Sequence, residues 1–321
     1  MMGGERVDVP AGIDPLHPAL AVPVLLAVVG LGAVIAVILH RTVASSLAGT
    51  GGSPARSAAA PLREARWLAR QQVVTTERPD LATWILAPAA YLGLAVAALS
   101  VVPLSAGVAV ADVRTGIVVF GAAEALAIVV IFLHGWSPNS PFALVSAYRF
   151  VAVALSYELL SMFVLIAAAI PAGSLSIGAI VDSQAGLWNV VRQPLGLPLW
   201  LVVSWGVTFS GPLAVVDSVD LAGGGGVEDS GLQRLVWAVA RAAMLVVFAA
   251  AGAAVFLGGW QGPVLPGGAW MALKTAALLA VLVVGDVTLA RMSAQRFVRL
   301  AWAVLLPLAF LDLLIGGLGS L

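Results

Sequence analysis

The chain has no cysteine among its 321 residues. Disulfides, thiolate zinc sites and cysteine-ligated iron–sulfur clusters are therefore excluded within it. Any redox cofactor must belong to a partner or arrive as a diffusible molecule. Histidine is nearly as scarce: His17, His40 and His134 lie too far apart in sequence to form a local metal motif, and no metal is expected. Charge is the next shortage. Charged residues make up 10% of the chain against 61% hydrophobic, a balance outside the range of soluble globular domains. The formal net charge is zero, which leaves no electrostatic basis for binding nucleic acid. Of the sixteen basic residues only Lys274 is a lysine, a bias that fits a GC-rich genome and carries no mechanism.

What the chain has instead is long apolar segments. A membrane-spanning helix needs about 20 such residues, and eight segments reach that length, near 18–40, 81–104, 115–134, 149–171, 195–216, 234–257, 268–290 and 297–318. The fold class is all-α: a polytopic membrane protein with a single integral membrane domain over residues 1–321. Met1 to Pro15 carries Glu5, Asp8 and Asp14 against a single Arg6, the reverse of a signal-peptide n-region, so the first apolar segment is expected to stay as a helix. A Gly-, Ser- and Ala-rich linker, Ala44 to Ala60, precedes a stretch in which Leu62, Ala65, Leu68 and Ala69 recur at helical spacing opposite Arg63, Arg66 and Arg70. That pattern predicts an amphipathic helix over about 61–72, lying in the cytoplasmic-side interface. An ordinary basic linker is the alternative.

Arginine placement sets the orientation. The first linker holds Arg41, Arg56, Arg63, Arg66, Arg70 and Arg78, and the last holds Arg291, Arg296 and Arg299, whereas the connections near Asp112, Asp182 and Gly262 have few or no basic residues. Both termini are expected outside, in a multi-pass protein of the bacterial inner (plasma) membrane. The loop at 217–233 is cytoplasmic by this count despite Asp217, Asp220, Glu228 and Asp229; acidic residues weigh little in topology. Its four glycines, Gly223 to Gly226, predict a mobile segment. They do not make a phosphate cradle, since no Lys-Ser/Thr follows.

Five ionisable groups stand out within the predicted spans or at their mouths: Glu124, Glu158, Arg241, Lys274 and Asp286. Lys274 is close enough to a helix end to snorkel to the outer interface. Glu124 and Glu158 each lie about ten residues, roughly 15 Å, from a helix end. Two acids at one depth on adjacent helices suit a proton relay, because protonation lets either stay neutral; two protonated acids hydrogen-bonded to neighbouring helices are the alternative. Arg241 and Asp286 reach similar depth from the cytoplasmic side and are expected to pair, chiefly fixing helix register. Gly30, Gly32, Gly93 and Gly252 are expected at close helix contacts, and Trp136, Trp260 and Trp270 at the membrane interfaces.

The most specific stretch is Gly135-Trp136-Ser137-Pro138-Asn139-Ser140, with Phe142-Ala143-Leu144 and Arg149, then Ser156-Tyr157-Glu158. It resembles the Gly-Trp-x-x-Asn…Tyr-Ala-Leu…Arg…Ser-Tyr-Glu signature of the NuoH-type membrane protein that joins the two arms of respiratory complex I, the NADH-quinone oxidoreductase. Further matches follow in the same order, among them Pro61-Leu62 with Glu64, Asp80 with Leu86-Ala87-Pro88, Phe256-Leu257-Gly258-Gly259-Trp260, and Lys274-Thr275. The resemblance covers nearly the whole chain.

The resemblance implies a quinone chamber floored by the first helix, the interfacial helix and the sixth span, with quinone (such as ubiquinone) as substrate and iron–sulfur clusters only in partner subunits. It implies a translocase in which the isolated chain is not catalytic, partnered by other membrane and peripheral subunits, quinone and the lipid bilayer. It places Glu158, and more loosely Glu124, on a proton path. It makes Arg41, Arg63, Glu64, Arg66, Asp80, Arg149, Asp220 and Glu228 candidates for quinone-chamber or partner-docking roles. There are departures. Where the family carries an acidic run beginning Glu-Thr-Asn-Arg-Ala-Pro-Phe-Asp, this chain reads Gly206-Val207-Thr208-Phe209-Ser210-Gly211-Pro212-Leu213. Arg241 stands at a family glutamate and Asp286 at a family arginine, so a divergent paralogue is expected. The alternatives are the membrane subunit of an energy-converting nickel–iron hydrogenase and a scaffold without quinone chemistry.

Overall fold

The computed structural model describes residues 14–15, 18–49, 54–106, 108–111, 113–217 and 219–318. Glu5, Arg6, Asp8, His17 and Asp112, invoked above for the N-terminal charge balance, for metal binding and for orientation, lie outside the described residues. The described residues form twelve α-helices in order: α1 (Pro18–Leu47), α2 (Pro54–Leu68), α3 (Leu81–Ser100), α4 (Gly116–Trp136), α5 (Pro141–Ala169), α6 (Ile177–Asp182), α7 (Asn189–Arg192), α8 (Gly196–Val207), α9 (Gly231–Phe256), α10 (Gly267–Thr288), α11 (Ala294–Leu300) and α12 (Leu306–Leu318). A π-turn at Ala301–Leu305 joins the last two. The remaining regular pairing is a two-residue parallel contact of β1 (Asp14–Pro15) with β2 (Val108–Ala109).

Among the described residues, eight segments are long and apolar enough to cross a membrane, and the chain is a polytopic membrane protein. Several boundaries differ from those read off the sequence. Helix α1 continues to Leu47, so His40 and Arg41 ride on it. Helix α5 starts at Pro141 rather than near 149, which puts Arg149 two turns inside; Ser140 is extended and Pro141 occupies the first helical position, where its fixed φ favours the start. Helix α2 begins earlier and ends sooner than expected, because Ala58 to Ala60 extend it toward the N-terminus, and Arg70 lies past its end. The fifth span is broken. Helix α8 stops at Val207, Phe209 takes a positive φ of 39°, and a single 3₁₀ turn covers Gly211–Leu213.

Helix α9 is the enclosed axis of the bundle, with 83% of its apolar window buried. Its second half, Ala243 to Phe256, is an Ala-rich run buried almost throughout. Small side chains let neighbouring helices approach closely, which supplies packing where lipid and protein are equally apolar. Gly32 faces Val246 and Gly252 faces the Trp200 indole, but Gly30 and Gly93 meet nothing within 4 Å, so only half of the expected packing glycines pack.

The connections after α2, α4, α8 and α10 gather on one face, which also carries most of the arginines. Thr76 Oγ1 donates to the Pro138 carbonyl, Asn139 Nδ2 to Glu77 O at 3.2 Å, and Val74 N to Ser230 Oγ at 2.8 Å. The glycine run belongs to this face, and its central pair is packed while Gly223 meets nothing within 4 Å. Gly224 and Gly225 are buried in a 3₁₀ turn against Val216 and Ser146, whose hydroxyl donates to Val216 O at 2.5 Å. Glycine is required there: Gly223 and Gly224 have φ of 103° and 56°, and a Cβ on Gly224 would overlap the Val216 carbonyl oxygen. The segment is tight because it lacks side chains. Gly224→Ala should destabilise the detergent-solubilised protein by more than about 2 kcal/mol, combining overlap with left-handed strain, while Gly93→Ala should leave the thermal midpoint unchanged or slightly raised.

Candidate functional site

The basic face is held together by three consecutive residues ahead of α9. Glu228 accepts from Ser140 Oγ at 2.7 Å, tying the loop to the start of α5. Asp229 accepts from Trp84 Nε1 of α3 at 3.1 Å and meets His134 Nε2 of α4 at 3.0 Å. Ser230 bonds both backbone groups of Val74 in the first connection. The side chains of His134 and Asp229 are each 1% exposed. A buried carboxylate needs such partners, since leaving it unpaired costs several kcal/mol.

An aromatic column runs inward from this dyad. His134 stacks on Trp237 at 3.7 Å between centroids, Trp237 packs on Tyr91 at 5.4 Å and on Phe209 at 5.7 Å, and Phe209 meets Phe150, which meets Tyr157. The Arg241 guanidinium lies 4.2 Å from the centre of the Phe209 ring, a cation–π contact.

The expected Arg241–Asp286 pair does not form. Arg241 binds Asp217 and donates to the Phe209 carbonyl. Asp286 meets His40 Nε2 at 3.2 Å and accepts from Gly211 N. The break after α8 explains the exchange, because it brings Phe209, Gly211 and the segment leading to Asp217 between the two charges. Arg241 is still near enough for its charge to be felt at Asp286, so the cluster spans α1, α9, α10 and the loop.

Apart from Arg66, the docking candidates divide between two cavities and two loop contacts. A cavity of about 400 Å³ between α1 and α2 is lined by Arg41, Ala60, Arg63, Glu64 and Trp67, and Arg41 pairs with Glu64 across it. Arg66 is exposed on α2 outside that lining. A second cavity, about 450 Å³, is lined by Arg78, Asp80, Trp136, Ser137, Asn139, Ser140, Pro141 and Leu144. Asp80 caps α3, accepting from Thr83 Oγ1 at 2.7 Å and from Thr83 N; these bonds to Thr83 hold its carboxyl below the ordinary carboxylate value. Arg149 binds Asp220 at 2.6 Å. Among the described residues, the four non-glycine positions with positive φ are Arg78, Asn139, Phe209 and Ala222. All four belong to this face, and left-handed backbone costs about 1–3 kcal/mol each and concentrates at functional sites.

Deeper in the bundle, Glu124 is buried on α4 and accepts from Ser161 Oγ of α5 at 2.7 Å. Glu158 is half-buried on α5, and its two carboxylate oxygens have no hydrogen-bond partner among the described residues. The two acids are close enough for each charge to act on the other.

On the opposite face Lys274 does not snorkel. Its Nζ donates to Gln261 O at 2.7 Å and lies 4.2 Å from the Trp188 ring and 5.6 Å from Trp270, so carbonyl and ring faces replace water. Asp312 on α12 is fully buried beside the backbone amides of Leu195 and Gly196 at the start of α8. Sequence reasoning missed it, although an acid inside the eighth apolar segment was visible. No sequence signal pairs Asp217 with Arg241 or His40 with Asp286.

A family model described as NADH dehydrogenase matches residues 20–317.

Two outcomes follow from this geometry. In a double-mutant cycle on thermal stability, Arg241→Gln and Asp217→Asn should couple by about 1 kcal/mol, and Arg241→Gln with Asp286→Asn should couple less. Because the folded-state pKa of Asp80 is depressed, its cap stabilises above the unfolded carboxylate value of 3.8 and is lost as pH falls through the lower folded value. Faster hydrogen exchange at the Thr83 amide under acid, absent in Asp80→Asn, checks this.

Proposed function

Because the chain belongs to the NADH dehydrogenase family and is a complex-I-type membrane subunit, we propose that its basic face forms part of a quinone chamber and that Glu124 and Glu158 carry protons from that side into the bundle. The carrying observation is the cavity between α1 and α2. Trp67 supplies an apolar wall and the Arg41–Glu64 pair a polar rim, the combination that suits a ring with carbonyl oxygens on an apolar tail. Quinone is the substrate of the assembled complex. Iron–sulfur clusters reside in a peripheral partner, for which Arg63 and Arg66 on α2 and the Arg149–Asp220 and Ser140–Glu228 contacts offer docking groups.

The two acids suit proton transfer for a simple reason. Like charges at short range in a medium of low polarity cannot both persist, so a proton held by one is readily passed to the other. Ser161 fixes Glu124, while Glu158, without a hydrogen-bond partner among the described residues, is free to exchange. In this arrangement the basic face is cytoplasmic, both termini lie outside, and the protein sits in the bacterial inner membrane.

A scaffold reading draws on one feature. The segment where the resemblance leads one to expect acidic residues contributes buried Phe209, Val215 and Val216 to the core, and a packed apolar loop anchors a partner without moving protons. The two readings diverge under labelling and turnover. A photoreactive ubiquinone analogue applied to the purified complex should crosslink within α1 and α2 near Arg41 and Trp67; labelling confined to other subunits would overturn the chamber. Glu158→Gln should abolish proton translocation coupled to NADH oxidation in sealed vesicles, whereas the scaffold reading expects no change.

A further inference from the structure

Among the described residues, eleven buried side-chain polar atoms have no hydrogen-bond partner. Such atoms are costly and rare in native folds, so where they gather is informative. Six of the eleven are His134 Nδ1, Trp237 Nε1, Tyr157 OH, Glu124 Oε1 and both carboxylate oxygens of Glu158. Ring contacts join them: His134 stacks on Trp237, Trp237 on Phe209, Phe209 meets Phe150 and Phe150 meets Tyr157, while Ser161, one turn along α5 from Tyr157, bonds Glu124. They form one seam from the basic face to the two acids, lying between α3, α4, α5 and α9. The other five, on Gln193, Gln261, Trp270 and Asp312, belong to the opposite side of the protein.

The outer end of the seam is the His134–Asp229 dyad. Asp229 from the loop meets the Nε2 edge of His134 and Trp237 of α9 stacks on its ring, while Trp84 of α3 donates to the other Asp229 oxygen. Beyond it, Glu228 is bonded to Ser140, which lines the 450 Å³ cavity open to the basic face. His134 and Glu124 share α4, ten residues apart, or about 15 Å of helix.

We propose that the His134–Asp229 dyad is the proton inlet to Glu124 and Glu158, working through this seam with water as its links; the inference rests on the proton-path reading above. Imidazole is suited to the task because it binds a proton on one nitrogen while releasing one from the other. A proton arriving on the Asp229 carboxylate passes to Nε2 as the proton on Nδ1 leaves into the seam. The ring ends neutral with its tautomer exchanged, the carboxylate ends ionised, and no electron changes hands. Trp237 Nε1–H and the Tyr157 hydroxyl then orient the water that delivers the proton to the acids. Asp229 also holds the ring by its Nε2 edge, leaving Nδ1 as the delivering atom.

The assembled complex in sealed vesicles provides the test, with protons translocated per NADH oxidised read by an interior pH dye. The double variant His134→Gln/Asp229→Asn removes both titratable groups while leaving a neutral hydrogen bond in their place, so a pair with only a structural role is preserved. The expected result is loss of proton translocation in this double variant, as in Glu158→Gln. A normal ratio in the double variant with a defective Glu158→Gln overturns the inlet and leaves the proton path intact. A normal ratio in Glu158→Gln overturns the path itself and the inlet with it. Should the double variant fail to assemble, Tyr157→Phe keeps the ring packed on Phe150 and removes only the unpartnered hydroxyl of the seam. A reduced ratio there supports the seam, and an unchanged ratio overturns it.

Discussion

The basic face depends on the burial of one carboxylate. Asp229 is almost wholly enclosed, and its two oxygens are met by side chains from two different spans, Trp84 on α3 and His134 on α4. Removing a partner from such a group costs about 3–5 kcal/mol, so the geometry of both helix ends is locked to the loop. The residues on either side extend the lock, Glu228 to α5 and Ser230 to the first connection. Three adjacent residues thus set how four parts of the chain meet at the membrane surface.

The rest of the face follows from fitting backbone around that lock. The loop must leave the broken α8, pass under α5 and reach Glu228 in a short stretch. Gly224 and Gly225 let it press against Val216 and Ser146 where no side chain would fit. The break places Phe209 against Arg241 on one side and against the Tyr91–Trp237 column on the other. A charged cluster and an aromatic seam are thereby built on the same few residues. A shift at Phe209 would be felt at Arg241 and at Tyr91 together.

Legibility in the sequence followed the length of the signal. Spans of twenty or more apolar residues announce themselves, because the bilayer sets their length and the backbone must satisfy itself within them. Glu124 and Glu158 were visible for the same reason: an acid inside such a run stands out from its neighbours. The Arg241–Asp286 pairing failed because equal depth on two helices fixes only one coordinate. The break in the fifth segment, which decides the lateral arrangement, is written in Gly206, Gly211 and Pro212 but was hidden by the apolar residues between them. The glycine run misled in the opposite direction, since lack of side chains permits either freedom or close packing, and the choice belongs to what lies opposite.

By itself the sequence determined the number of spans, the membrane setting, the absence of thiol chemistry and the presence of two acids inside apolar segments. These are one-dimensional properties, set by local composition against the fixed thickness of a bilayer. Tertiary structure alone decided which charges meet. His40 with Asp286, Arg241 with Asp217, and His134 with Asp229 join residues separated by 246, 24 and 95 positions. Such pairs are chosen by where helix ends and loop backbone converge, and the desolvation cost of an unpaired charge makes each choice strict.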